Sequence, residues 1–269
     1  MTTFLTGLLL KIALTAGIVV TASIVVERSG AFIGALISAL PTAGGGAMII
    51  LAWEHPPAFI AQSAVGSMVA NAVVAVFALS YAVLAQRNTL PVSISGAYAI
   101  WFCAAFLTHY VDWNAASAAL LNAGVYPLAI IAGSRFRVTG AARRVHLTTA
   151  DLAWRTGVVT LCVLIVTVAS YSIGSFPSGL FAFFPVAMGS FFVILHPRIG
   201  GPAAASVAAH VQAPLIGLGL SLLAVHLLAV PIGVWWSYAA GLSIGIGWNA
   251  MLWLGCNWRL RSQTQTLDP

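Results

Sequence analysis

Residues 31–53 read AFIGALISALPTAGGGAMIILAW, an apolar run long enough to cross a bilayer with Pro41 and the triplet Gly44-Gly45-Gly46 at its centre. Proline removes a backbone donor and frees the carbonyl one turn earlier, and consecutive glycines weaken the helix further. In hydrocarbon each freed group must meet protein, water or a solute. The chain does this twice. LPTAGGG at 40–46 is answered by FPVAMGS at 184–190, in which Pro185, Ala187 and Gly189 repeat Pro41, Ala43 and Gly45.

Composition fixes the broad class around these two segments. Of 269 residues, 61% are hydrophobic and 6% charged, with five acidic and eleven basic side chains, and mean hydropathy is +1.01. So few charges cannot clothe a water-soluble domain of this length. Apolar stretches of about 20 residues match the ~30 Å hydrocarbon core as helices, and the ~10-residue alternation of barrel strands is missing. The sequence therefore predicts an all-α polytopic membrane protein. Its net charge of +6 reads as an orientation signal, so no nucleic-acid partner is expected. Cys103, Cys162 and Cys256 lack metal-ligand spacing and are expected to be small core residues.

Nine spans are expected, at 7–26, 31–53, 58–85, 92–111, 115–134, 152–173, 176–196, 203–229 and 232–256. With the N-terminus outside, Arg28, Arg87, Arg135, Arg137, Arg143, Arg144, Arg198, Arg259 and Arg261 all fall on the cytoplasmic side. Glu54, His55, His109 and Asp112 then fall outside, as the positive-inside bias requires. The expected location is a bacterial inner membrane, crossed many times, with the C-terminus cytoplasmic.

Internal similarity extends beyond the two breaks. Lys11 and Arg155 stand 155 − 11 = 144 positions apart. At that offset Gly30, Phe32, Leu36, Pro41, Ala43, Gly45, Ile50 and Leu51 meet identical residues at 174, 176, 180, 185, 187, 189, 194 and 195. After a four-residue shift, Pro91, Tyr98 and Ala99 align with Pro231, Tyr238 and Ala239. Five spans separate the two starts, so the copies insert with opposite orientation. The loop charges agree: Glu54 of the first copy corresponds to Arg198 of the second. The expected organisation is a four-helix repeat over 1–111, a linker helix with a basic loop over 112–150, an inverted four-helix repeat over 151–258, and a cytoplasmic tail over 259–269. Many secondary transporters follow this plan, with discontinuous helices facing each other near the midplane.

The first half carries KIALTAGIVV, FIGALISALPT and LPVSISGAYAIWF. With Lys11, Gly34, Pro41, Leu90 and Pro91, these stretches resemble the GlpM family of small bacterial inner-membrane proteins, each about one such copy long. The second half departs from the pattern, with Arg155 in place of the lysine and Val186 in place of the threonine. The resemblance implies two GlpM-like units fused through one helix, and it bears on architecture more than on activity.

Candidate solute contacts follow from the breaks and from polar residues inside spans. They are Pro41, Thr42, Gly45, Pro185, Gly189 and Ser190 at the breaks, Asn71 in the third span, and His210 and Gln212 in the eighth. Buried amides and imidazoles bind polar groups of a solute, though they also simply join helices. His210 in particular has the alternative of a satisfied hydrogen bond. Lys11 and Arg155 are placed to snorkel to the headgroups. No carboxylate lies near the midplane, which disfavours a cation carrier and favours a neutral, zwitterionic or anionic solute. No H-E-x-x-H, G-x-S-x-G or phosphate-binding loop is present, so neither an enzyme nor a cofactor is expected. The expected activity is secondary transport by alternating access, with membrane lipid and a small solute as partners and a homodimer left open. The alternatives are a scaffold for envelope or exopolysaccharide assembly, and a lipid flippase or scramblase.

Overall fold

The computed structural model describes residues 42–137 and 148–265, together with residues 13, 16, 17, 20 and 21, which are helical. Lys11, Glu27, Arg28, Pro41, Arg143 and Arg144, and with them most of the expected span 7–26 and the first part (31–41) of the expected span 31–53, lie outside the described residues. Ten helices follow: α1 (Thr42–Glu54), α2 (Pro57–Leu84), α3 (Leu90–Leu107), α4 (Ala115–Ser134), α5 (Thr149–Ile173), α6 (Ser175–Ala182), α7 (Val186–Ile199), α8 (Gly201–His210), α9 (Gln212–Leu228) and α10 (Val234–Gln265). No strand occurs among the described residues.

Among the described residues seven stretches are long and apolar enough to cross a membrane: 57–84, 90–110, 115–134, 149–173, 175–199, 201–228 and 234–256. The first pair of expected spans apart, each expected span meets its helix within three residues at either end. Helices α6 and α7 share one of these stretches, and α8 and α9 share another. The expected boundary at 258/259 does not coincide with a helix end, because α10 continues to Gln265.

Local chemistry sets the ends. Pro57 opens α2 and Pro91 lies in the first turn of α3, where a missing N–H costs nothing. Asn114 caps α4, accepting from the Ser117 amide at 2.9 Å. Thr148 and Asp151 form a capping box at α5. Gly174 (φ 85°) and Gly200 (φ 86°) turn the chain from α5 into α6 and from α7 into α8, and each is the sole connecting residue.

Helix α2 is the axis of the bundle. Its most apolar window is 72% buried, against 11% for that of α10, and it packs on α6, α9, α3, α4, α8 and α1. Ala, Gly and Ser on every face permit this, since membrane helices associate through close packing rather than hydrophobic exclusion. The tightest approach is reciprocal. A Cβ on Gly66 would overlap the Phe176 carbonyl oxygen, and a Cβ on Gly179 would overlap the Ser63 carbonyl oxygen. Ser67 Oγ donates to the Gly179 carbonyl at 3.1 Å across the same crossing.

Helix α5 measures the depth of the bundle, about 37 Å at 1.5 Å per residue. At its C-terminal end His55 Nε2 and Ser170 Oγ are 2.8 Å apart. The His55 ring stacks on Phe59 at 3.8 Å, and burial lowers its pKa, with Glu54 opposing the shift. At the N-terminal end Arg198 pairs with Asp151 at 2.6 Å. Gly201, three residues beyond Arg198, lies against the Ala85 carbonyl at the end of α2. Residues 54–55 and residue 198 therefore occupy opposite ends of α5, and residue 85 lies near the residue-198 end.

Two expectations about side chains are corrected. Arg155 does not snorkel: it is 7% exposed, enclosed between α5 and α7 with its guanidinium 4.9 Å from the Phe191 ring centroid. Cys103 is no core residue, since it lies on the outward face of α3 and is exposed.

The glycine crossing yields a direct test. Gly66→Ala and Gly179→Ala should each lower stability by about 2 kcal/mol or more, because backbone must move to admit the methyl group. Gly124→Ala, where a Cβ meets nothing within 4 Å, should be neutral or stabilising by up to ~1 kcal/mol. Thermal unfolding of the purified variants in one detergent reads the contrast.

Candidate functional site

The second break is visible in the backbone. Helix α6 ends at Ala182 and α7 begins at Val186. Pro185, with φ −75° and ψ 41°, has no N–H to continue the ladder, and the Val186 amide instead donates to the Phe184 carbonyl at 2.7 Å. Phe183, inside this bend, lays its ring on Gly44 of α1; a Cβ there would come within 2.5 Å of it. The glycine triplet that follows Pro41 therefore receives the aromatic ring that precedes Pro185. Contact of this kind needs a residue without a side chain on one partner.

Beside this contact lies a cavity of about 170 Å³, bounded by α1, the bend, α9 and α10. Gly45, Gly241 and Gly245 make room for it, and Met48, Phe183, Leu222 and Leu242 supply apolar wall. Its polar atoms come from Ser221, Tyr238 and Asn249. Ser221 Oγ is committed to the Gly217 carbonyl at 2.8 Å and Tyr238 Oη to the Met48 carbonyl at 2.8 Å. Asn249 Oδ1 is buried without a partner among the described residues. Among the described residues no charged side chain lines the space. Its mostly apolar described lining suits a neutral compound with a largely hydrocarbon body.

The expected site residues separate into four places. Gly45 lines the cavity. Thr42 opens α1, and its side chain, like Pro41, lies outside the described part. Pro185 and Gly189 form the seat of Tyr98, whose hydroxyl donates to the Pro185 carbonyl at 3.4 Å and would overlap a Cβ on Gly189. Ser190 is 5% exposed and turns its hydroxyl to the Ala187 carbonyl of its own helix at 2.9 Å. His210, at the end of α8, has Nδ1 2.7 Å from the Ser206 carbonyl, a local bond.

Asn71 and Gln212 belong to a helix clamp. The Asn71 amide donates to Leu215 O at 3.0 Å and to Asn122 Oδ1 at 3.1 Å. Gln212 donates in the opposite sense, to Ala75 O at 3.1 Å. Asn122 adds a bond to Met68 O at 2.8 Å, and Tyr126 Oη donates to Asn71 O at 3.0 Å. Helix α4, expected only as a linker, is thereby bound to the axis of the bundle.

Four contributors escape the sequence reading: Phe183, Tyr98, Tyr238 and Asn122. A signal existed for three of them. Tyr98 and Tyr238 align in the repeat, and Asn122 is an amide inside an apolar span. Among the described residues no three His, Cys, Asp or Glu side chains gather as metal ligands would. Compared with protein families, characterised proteins and solved structures, the chain matches none.

The clamp reading predicts a structural phenotype. Asn71→Ala and Asn122→Ala should each destabilise the protein, with a coupling near the ~0.6 kcal/mol average for membrane hydrogen bonds. A double-mutant cycle on thermal unfolding measures it.

Proposed function

We propose that the chain is a multi-pass membrane transporter that moves a small neutral, largely apolar solute by alternating access. The observation that carries this reading is the seat of Phe183 on Gly44, beside a cavity that Gly45 lines. A solute there contacts both halves of the chain at their least regular backbone, where freed polar groups and small residues concentrate. Of the solute classes compatible with the sequence, the neutral one fits a lining without charge. Rocking of one half on the other would open the cavity first to one side and then to the other.

Several contacts support two inverted units. Tyr98 of the first half reaches the carbonyl of Pro185 in the second, and Tyr238 of the second reaches the carbonyl of Met48 in the first. These tyrosines are the pair that the repeat aligns. Asn71 and Gln212 likewise exchange amide bonds between α2 and α9. Glu54 and Arg198, which correspond in the repeat, lie at opposite ends of α5. The positive-inside bias then puts Arg87, Arg135, Arg137 and Arg198 at the cytoplasmic face of a bacterial inner membrane, with the N-terminus outside. Two fused GlpM-like units are the corresponding family reading.

Transport is tested in proteoliposomes with a panel of radiolabelled neutral solutes of graded polarity. Wild-type protein should take up the less polar members. Gly45→Leu, which fills the cavity, should slow uptake by about tenfold or more, the scale of ~1.4 kcal/mol. Gly124→Leu should transport as wild type. Wild-type protein that moves no member of the panel would contradict the proposal.

A further inference from the structure

Arg155 stands in the second turn of α5 and is 93% buried. Its guanidinium faces the Phe191 ring at 4.9 Å, which attracts the flat face of the cation but leaves the in-plane N–H groups unanswered. Nε and Nη1 are sealed from solvent and have no hydrogen-bond partner among the described residues. A buried guanidinium has given up its hydration, and inside a membrane such a group marks a functional position unless a counter-charge is built in.

Among the described residues the counter-charge near Arg155 is Asp151, one turn earlier on the same face, whose charge reaches the guanidinium through space. It makes no hydrogen bond to Arg155: Arg198 holds it at 2.6 Å, and the Thr148 amide and hydroxyl hold it at 2.7 and 2.8 Å. Glu54 sits at the other end of the helix, and Asp112 lies in the segment between α3 and α4. Glu27 and Asp268 are outside the described residues.

Two neighbours on α5 share the same condition. The hydroxyls of Thr156 and Thr160 are buried without a partner among the described residues, and both line a cavity between α5 and Ala16 and Val20. Further along the helix, Thr167 and Ser170 bond back to the carbonyls of Val163 and Thr167 at 2.8 and 2.7 Å. Back-bonding is the ordinary resort of a helical hydroxyl in an apolar setting. Thr156 and Thr160 face that cavity, whereas Arg155 is not among its lining residues and turns to Phe191 on another side of α5; the three share only unused donors on one stretch of helix.

We propose that Arg155 anchors an oxyanion site at the Asp151–Arg198 end of the bundle, taking a carboxylate or phosphate group on the planar edge of its guanidinium. That edge matches either oxyanion with two parallel N–H bonds, which a lysine ammonium cannot reproduce. The site takes the same chemistry from a free anion or from a lipid headgroup. It does not depend on the transport reading, because binding alone reports it.

The full-length protein in an uncharged detergent is melted with acetate or inorganic phosphate, against chloride at equal ionic strength. A second arm adds phosphatidylglycerol, against phosphatidylcholine. Wild type should melt higher with phosphate or acetate if the site takes free anions, and only with phosphatidylglycerol if it takes headgroups; either result supports the site. Arg155→Gln should abolish the anion-dependent shift, and Arg155→Lys should weaken apparent affinity about tenfold or more. No shift in wild type with any of these anions, or an equal shift in Arg155→Gln, would overturn the proposal. If Arg155→Gln does not fold, an unchanged affinity in Arg155→Lys overturns it.

Discussion

Direct backbone contact between α2 and α6 at Gly66 and Gly179 is the constraint on which the rest of the bundle depends. Each glycine lies against a carbonyl of the facing helix, so neither helix can retreat without losing its partner. Because α6 approaches this closely, its end at Ala182 and the bend at 183–185 are held against α1. Phe183 then reaches Gly44, and the cavity opens in the space that this contact leaves. Small residues, rather than large apolar ones, determine the geometry, as expected where lipid competes equally for hydrocarbon surface.

The polar residues divide along the same lines. The amide N–H groups of Asn71, Asn122 and Gln212 donate to backbone carbonyls, and Asn71 also to Asn122, tying α2, α4 and α9 into one block, while Asn71 Oδ1 and Gln212 Oε1 are buried without a partner among the described residues. The cavity borders that block along α9 and is nearly apolar. Buried amides in this fold join helices, while the cavity is formed by glycines and an interrupted helix. Arg155 stands apart from both, with two guanidinium nitrogens, Nε and Nη1, that have no hydrogen-bond partner among the described residues.

Much of the fold was legible in sequence because hydrophobic length is a strong signal. Seven membrane-length stretches among the described residues were located within a few residues from apolar runs punctuated by Pro, Gly and charge. The interruption at 183–185 was legible because Pro185 cannot donate to the ladder; the break expected at Pro41 lies outside the described residues. Which polar residue faces which helix was not legible, since Asn71 is equally well a ligand or a clamp until its neighbours are known. Arg155 was misread for a related reason: one turn of depth permits snorkelling, and only the packing of α7 over it prevents this. Phe183 carried no polar or titratable mark at all, so its seat on Gly44 is visible only in three dimensions.

The central claim is that one structural unit occurs twice with opposite insertion. Single cysteines at positions 54 and 198, in a background lacking Cys103, Cys162 and Cys256, test it most directly. An impermeant thiol reagent applied to intact cells should label position 54 and leave position 198 untouched until the membrane is opened. Labelling of both positions from the same side would contradict the account.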